Sequence, residues 1–273
     1  MASMQKIRRK SLLYKSRVEF ADFCINHVEG CSHGCRYPCY AMMMKKRCGV
    51  ISTYEDWTRP KIVENAEELL ERELRKYKSK IRSVHLCFST DPFMFGYDEI
   101  GQLSLKLMRR LNSENIPCTI LTKGVYPKEI VQIENPPQAD KELTPVVSEA
   151  NLTENEFGIT LVSLDEDFRR EYEPNAARFE ERIKSLRYLH EKGFKTWVSM
   201  EPYPTPNIIR QDLLKILEAV SFADEIIFGK LNYSPRTRAF SHTKTFYNSQ
   251  AKSVMDFCEE NNISCYIKDG TLT

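Results

Sequence analysis

Apolar residues in this chain alternate between two patterns. Short apolar blocks at residues 84–88, 118–121, 158–164, 196–200, 225–228 and 264–267 are bounded by polar, Gly or Pro positions, and each predicts a strand. Between them apolar residues recur at helical spacing. Ile62, Ala66, Leu69, Leu70, Leu74 and Tyr77 form one stripe, with Thr58 and Pro60 as its start. Leu103, Leu107 and Leu111 mark a second over 100–115, and Phe179, Ile183, Leu186 and Leu189 a third, capped by Asn175 and stopped by Gly193. Asn207 reads as the cap of a helix running to Val220, and a last helix covers 246–262. The joins Asn115-Ile-Pro-Cys118 and Asn262-Ile-Ser-Cys265 repeat one helix-to-strand connection. Strands alternating with helices predict an α/β fold of parallel βα units in one twisted or barrel-like sheet.

The polar residues that close these strands narrow the reading. Strand after strand stops at groups able to bind or catalyse: Ser89, Thr90 and Asp91; Lys123; Ser163 and Asp165; Glu201; Lys230 and Asn232. One polar turn means little, because turns are polar in general. A succession of them, on the edge where α/β barrels build their sites, predicts a functional rim. The stretch 127–156 departs from the alternation. A short helix near 128–133 leads into Pro- and acid-rich residues, expected as an elaborated surface loop.

Composition bounds this picture without changing it. A chain of 273 residues with 41% apolar and 29% charged residues buries a real core. It is read as a single domain: a basic N-terminal extension over 1–19, a core over 20–232 and a helix–strand extension over 233–273. No apolar run approaches the roughly 20 residues of a membrane helix. A net charge of +2 makes no global case for nucleic acid. Lys6, Arg8, Arg9, Lys10, Lys15 and Arg17 precede the first acid, Glu19, and are expected as a solvated tail or first strand edge rather than a phosphate-contacting arm. Nine cysteines without a secretory h-region point to a reducing compartment, with the cytoplasm as the expected address.

The candidate chemistry is concentrated in Gly30-Cys31-Ser-His-Gly-Cys35-Arg-Tyr-Pro-Cys39-Tyr-Ala41. Three thiols at even spacing can clasp one inorganic cluster or one metal ion, and Gly30, Gly34 and Pro38 make the stretch a loop rather than a helix. A short helix over 42–48 follows, its methionines expected as core filler. Structural zinc takes four protein ligands, which Cys24, His27, His33 or Cys48 would complete. With three cysteines alone, a [4Fe–4S] cluster keeps one iron without a protein ligand. Cys118, Cys258 and Cys265 sit in apolar contexts and are expected in the core.

The loop resembles that of the radical SAM superfamily, in particular its spore photoproduct lyase-like branch. The resemblance rests on Gly30 to Ala41, on Ser89-Thr90-Asp91-Pro92, on Thr122-Lys123, and on Glu173-Pro174 with Arg182. It spans about 20–232. One departure stands out: three residues, Arg36-Tyr37-Pro38, separate the second and third cysteines where the superfamily has two. The resemblance implies a partial (βα)6 TIM-like barrel and two cofactors, a [4Fe–4S] cluster and S-adenosylmethionine (SAM). It also implies an electron donor such as flavodoxin or ferredoxin, and reductive cleavage of SAM to a 5′-deoxyadenosyl radical that takes hydrogen from an unidentified substrate. Carried over by position, Cys31, Cys35 and Cys39 would ligate the cluster. Thr90 and Asp91 would meet the methionyl end of SAM, Lys123 its carboxylate, Ser163 its ribose and Tyr37 its adenine. Glu201 and Lys230 face the same mouth as expected substrate contacts. Ser89 stands where spore photoproduct lyases carry a hydrogen-donor cysteine, and Cys87 lies deeper on the same strand face, so thymine-dimer repair is not the expected reaction. Two rival readings are a zinc-binding module associated with nucleic acid, and an inactive cluster-binding interaction protein. No second Cys pair at finger spacing supports the first; the widened spacing favours the second.

Overall fold

The computed structural model describes residues 4–16, 21–132 and 154–273. Arg17 and most of the expected surface loop lie outside the described residues. The strands are β1 (Gln5–Ile7), β2 (Leu13–Lys15), β3 (Phe23–Ile25), β4 (Val28–Glu29), β5 (Lys61–Val63), β6 (Val84–Leu86), β7 (Cys118–Thr122), β8 (Glu156–Thr160), β9 (Lys195–Tyr203), β10 (Glu225–Lys230) and β11 (Ser264–Ile267). The helices are α1 (Tyr40–Arg47), α2 (Tyr54–Thr58), α3 (Ala66–Tyr77), α4 (Asp98–Asn112), α5 (Glu129–Gln132), α6 (Glu166–Tyr172), α7 (Phe179–Glu191), α8 (Leu213–Ala219), α9 (Pro235–Arg238) and α10 (Thr243–Glu260). Among the described residues no helix is long and apolar enough to cross a membrane.

Eight strands form one sheet in the order β11-β10-β9-β8-β7-β6-β3-β2. From β3 to β11 every neighbouring pair is parallel, and β2 runs antiparallel to β3. The strands at the two ends of the order are not paired with each other, so the barrel stays open. β3, β6, β7, β8, β9 and β10 are each followed by helix before the next strand of this sheet, which gives the six βα units of a partial barrel with β11 added. Parallel pairing sets all their C-terminal ends on one rim. A second sheet, β1-β5-β4, lies beside it.

The basic N-terminal segment is built into both sheets through β1 and β2. Leu12 is wholly buried, and the backbone N–H groups of Leu12 and Leu13 donate to the buried Glu73 carboxylate at 2.7–3.2 Å. Glu73 is a polar residue on the buried stripe of α3, otherwise formed by Ala66, Leu69, Leu70 and Leu74. Arg8 pairs with Glu64 (3.2 Å) and Arg9 with Glu29 (3.2 Å), so these two cations face carboxylates of the protein.

Several local expectations are corrected. Ile62 belongs to β5, which pairs with β1 and β4, so the helix starts only at Ala66. The methionines of α1 are not core: the helix buries no residue, and Met43 and Met44 are 39% and 37% exposed. Asn175 does not cap α7, whose N-cap is Arg178; its amide donates instead to the Ser32 carbonyl (3.0 Å). Asp212, not Asn207, caps α8. α6 was not expected, and Asp165 is its N-cap, accepting from Asp167 and Phe168. The repeated join holds in detail. Asn115 and Asn262 both take the left-handed conformation (φ 58° and 55°), and the next amide closes back on the helix in both cases, Ile116 on Leu111 and Ile263 on Cys258. Asparagine tolerates that conformation better than other residues with a Cβ.

Candidate functional site

The cysteine loop runs from the end of β4 to the start of α1, across the rim. Gly30 opens it at φ 85°, where a Cβ would stand 2.7 Å from the Trp57 carbonyl oxygen; only glycine fits there. The Tyr54 hydroxyl donates to the Gly34 carbonyl at 2.6 Å. The widened spacer turns Arg36 to solvent and Tyr37 inward, and Cys39 becomes the N-cap residue of α1. Cys31, Cys35 and Cys39 are free thiols, each half-buried. Burial pushes the Cys35 thiol up to about 11, with Lys123 opposing. Burial, with Asp91 adding to it, raises Cys31 well above its ordinary value.

Asp91, just beyond β6, ties the loop to the neighbouring strand. It accepts from the Thr122 hydroxyl (2.7 Å) and from the backbone N–H groups of Lys123 (2.8 Å) and Phe93 (2.9 Å). His33, from inside the cysteine loop, holds Nδ1 3.4 Å from the same carboxylate, while its Nε2 accepts from the Phe95 N–H (3.2 Å). An Nε2 that accepts carries no proton, so the ring is neutral with its proton on Nδ1. Burial lowers its pKa to about 4, against the pull of Asp91. Thr90 donates to the Gly30 carbonyl.

Lys123, at the tip of β7, reaches three groups. Its Nζ lies 2.7 Å from Glu173 Oε1 and 3.6 Å from Cys35 Sγ, and it donates to the Tyr37 hydroxyl. It also stands 4.5 Å from the centroid of the Tyr37 ring, and the Tyr37 hydroxyl in turn donates to Glu173. Glu173 and Arg182 are both wholly buried and meet at 2.6 Å; Arg182 also donates to the carbonyls of Thr160 and Ala177, each at 3.0 Å. Burial alone pushes the Glu173 carboxyl up, but Arg182 and Lys123 overcome it and hold the group well below the usual carboxylate range. One carboxylate thus bridges two cations and a phenol beside the cysteine loop.

The other expected residues occupy the same rim. Ser163, wholly buried beyond β8, accepts from the Asp165 N–H at 3.0 Å. Glu201, near the end of β9, pairs with Lys268 at 3.3 Å and packs its side chain over Gly229, where a Cβ would approach to 2.9 Å. Lys230 ends β10 and turns into a separate cleft. Tyr37, Thr90, Asp91 and Lys123 are therefore gathered around the cysteine loop, whereas Glu201 and Lys230 lie further along the rim. Sequence reasoning missed Glu173 and Arg182 as a charge pair, the Asp91–His33 tie, and Lys268. The Glu-Pro and Arg positions were visible as motif, but nothing in their nine-residue spacing showed that they meet.

The donor set fits a cluster. Cys31, Cys35 and Cys39 are free thiols of one loop, the donor type that would hold an iron–sulfur cluster, and among the described residues no group of three His, Cys, Asp or Glu side chains is arranged for a single metal ion. The histidines that would complete a zinc site are engaged. His33 serves Asp91, and His27 meets Ser104 through Nε2 (2.7 Å) and Cys87 Sγ through Nδ1 (3.4 Å). Inside the loop the Ser32 hydroxyl is buried without a hydrogen-bond partner, a donor free to meet a cluster sulfur.

An open parallel βα barrel with a three-cysteine loop on its rim defines a class. The chain belongs to the Radical SAM superfamily, whose family model matches residues 25–220. It is a radical SAM enzyme, of a family that uses a [4Fe–4S] cluster and SAM. Uncharacterized protein MJ0683 of Methanocaldococcus jannaschii is 24% identical over 238 residues, 87% of this chain and 80% of that protein. Among solved structures, spore photoproduct lyase complexed with dinucleoside spore photoproduct is similar with a TM-score of 0.64 at 14% identity, over 96% of this chain and 80% of that one. A mutant of that lyase with bound AdoMet and dinucleoside spore photoproduct gives a TM-score of 0.63, with the same identity and coverage. These likenesses establish the fold.

Proposed function

We propose that this enzyme abstracts hydrogen from a substrate held in the mouth of the open barrel, with Cys31, Cys35 and Cys39 holding the cluster. Bound together, cluster and SAM supply a 5′-deoxyadenosyl radical. The chain's own residues hold and orient. Lys123 pairs with the SAM carboxylate, Tyr37 flanks the adenine, Thr90 and Asp91 shape the methionyl end, and Ser163 meets the ribose. Asp91 does so indirectly: by accepting from the Lys123 backbone N–H and from the Thr122 hydroxyl it fixes where the lysine leaves its strand. Neutral His33 keeps its proton on the side facing Asp91 and so braces the loop. Glu201 and Lys230 contact the substrate, and a reductant such as flavodoxin or ferredoxin supplies the electron.

The observation that carries this reading is the 3.6 Å approach of Lys123 Nζ to Cys35 Sγ, which sets a cation, shared with Glu173, at the edge of the cysteine set. Anaerobic reconstitution with iron and sulfide, followed by dithionite and SAM, is the test. Release of 5′-deoxyadenosine is the expected result. Bound zinc without iron, or a cluster that leaves SAM intact, would replace this reading with a zinc-binding or an inactive cluster-binding protein.

A further inference from the structure

A cleft of about 630 Å³ opens where β10 ends and α10 begins. Lys230, Arg238, His242 and Lys244 line it, with Phe240 and Thr271 on its walls, and no acidic side chain contributes to the lining. Among the described residues, none of Lys230, Arg238 and Lys244 has a carboxylate side chain as partner. Glu201, on the neighbouring strand, packs over Gly229 and is taken by Lys268 at 3.3 Å. The first turn of α10 carries no acid, and its N-cap residue, His242, makes no side-chain capping bond. Thr273 also lines the cleft with its main-chain carboxylate, but cations that outnumber carboxylates around one concavity repel one another, and an anion in their midst relieves that.

We propose that this cleft binds the phosphate group of a phosphorylated ligand. Arg238 offers a planar fork suited to two oxygens of one phosphate, lysines add point charge, and threonine hydroxyls complete the donors. The volume lies in the range that holds a small organic ligand, which exceeds what one inorganic ion needs, and the half-buried Phe240 ring provides a stacking wall for the remainder. Because Lys230 is also a proposed substrate contact, the inference names the substrate class of the proposed function; it rests on that reading only in calling the ligand a substrate. The phosphate belongs either to a phosphomonoester metabolite or to a phosphodiester of an oligonucleotide.

The test needs neither SAM nor turnover, so its failure is separable from failure of the radical chemistry. Inorganic phosphate is titrated into the reconstituted protein at low ionic strength and followed by ³¹P line broadening, alongside uridine 5′-monophosphate and a uridine trinucleotide without terminal phosphates. Saturable phosphate binding is expected, weakened about tenfold in R238A/K244A, since each exposed ion pair is worth up to about fivefold, and partly restored in R238K/K244R, which returns the charge but not the fork at 238. Whichever ester binds more tightly than phosphate identifies the source. Iron content and melting temperature control for folding; both residues are exposed. No saturable binding, equal binding by R238A/K244A, equal competition by malonate, or neither ester exceeding phosphate overturns the proposal.

Discussion

Replacing Glu173 by glutamine tests the electrostatic account of the site most directly. The side chain keeps its shape, but the carboxylate that bridges Arg182 at 2.6 Å and Lys123 at 2.7 Å loses its charge. Removing one partner of a buried ion pair costs about 3–5 kcal/mol, chiefly because the other charge stays buried and uncompensated. Here the two cations differ. Lys123 has 14% of its side chain exposed and can turn toward water or Cys35. Arg182 has none exposed and is held to two carbonyls, so the cost falls on it. We expect Glu173→Gln to lower stability by about 3 kcal/mol at pH 7, or roughly 5 °C in melting temperature for a chain of this size, read by urea and thermal unfolding of the cluster-free protein.

The pH dependence supplies a second check with a defined sign. Glu173 is depressed in the folded state, so its contribution is fully present above the ordinary carboxyl pKa of 4.5 and is lost as pH falls below it. Glutamine does not titrate. The gap between native protein and variant should therefore narrow on acidification, by about 0.8 kcal/mol at pH 4. A gap under about 1 kcal/mol at pH 7, or one that widens toward pH 4, would refute the claim that this carboxylate is held ionised by its two cations.

Cys35→Ala should leave reconstituted protein at background iron, and unchanged iron content would remove this cysteine as a ligand. Lys123→Met should keep the iron but weaken SAM binding about tenfold or more, the worth of a charged hydrogen bond; equal affinity in an equilibrium titration sinks that role. Ser32→Ala should melt no lower than the native protein when cluster-free, since the hydroxyl is buried unpaired. Once loaded, it should show a more negative midpoint potential by redox titration, because hydrogen bonds to cluster sulfurs raise the potential. An unchanged potential would mean that Ser32 does not touch the cluster.

Much of the barrel was legible because its later strands are continuous apolar blocks, as strands covered on both faces must be. β3 escaped because it is three residues long, and polar Asn26 and His27 interrupt the apolar signal before Val28. β5 was absorbed into a helical stripe because Ile62 falls in phase with Ala66 and Leu69, and only pairing with β1 and β4, remote in sequence, makes it extended. The methionines of α1 read as core from their hydropathy, but a helix that leaves the rim has no layer to pack against. At the site, spacing revealed the thiols, and strand ends revealed Thr90, Asp91 and Lys123. The Glu173 hub was illegible as chemistry, because it forms where the end of α6 and the first turns of α7 fold against the tip of β7.

Under the role proposed for Lys123, that hub would let the lysine serve an incoming carboxylate without leaving a penalty behind. A lone buried Glu173–Lys123 pair would resist any ligand that drew the lysine away, since the abandoned carboxylate would be left without compensation in a dry site. Arg182 changes the balance. It stays on Glu173, bonded also to two carbonyls, so the carboxylate keeps one full counter-charge while Lys123 swings. The tyrosine adds a neutral donor that follows neither charge, and Lys123 moves only between neighbours already within reach, Glu173, Tyr37 and the edge of the cysteine loop. Two cations on one carboxylate are thus the arrangement expected where one cation is structural and the other is reserved for an anionic ligand.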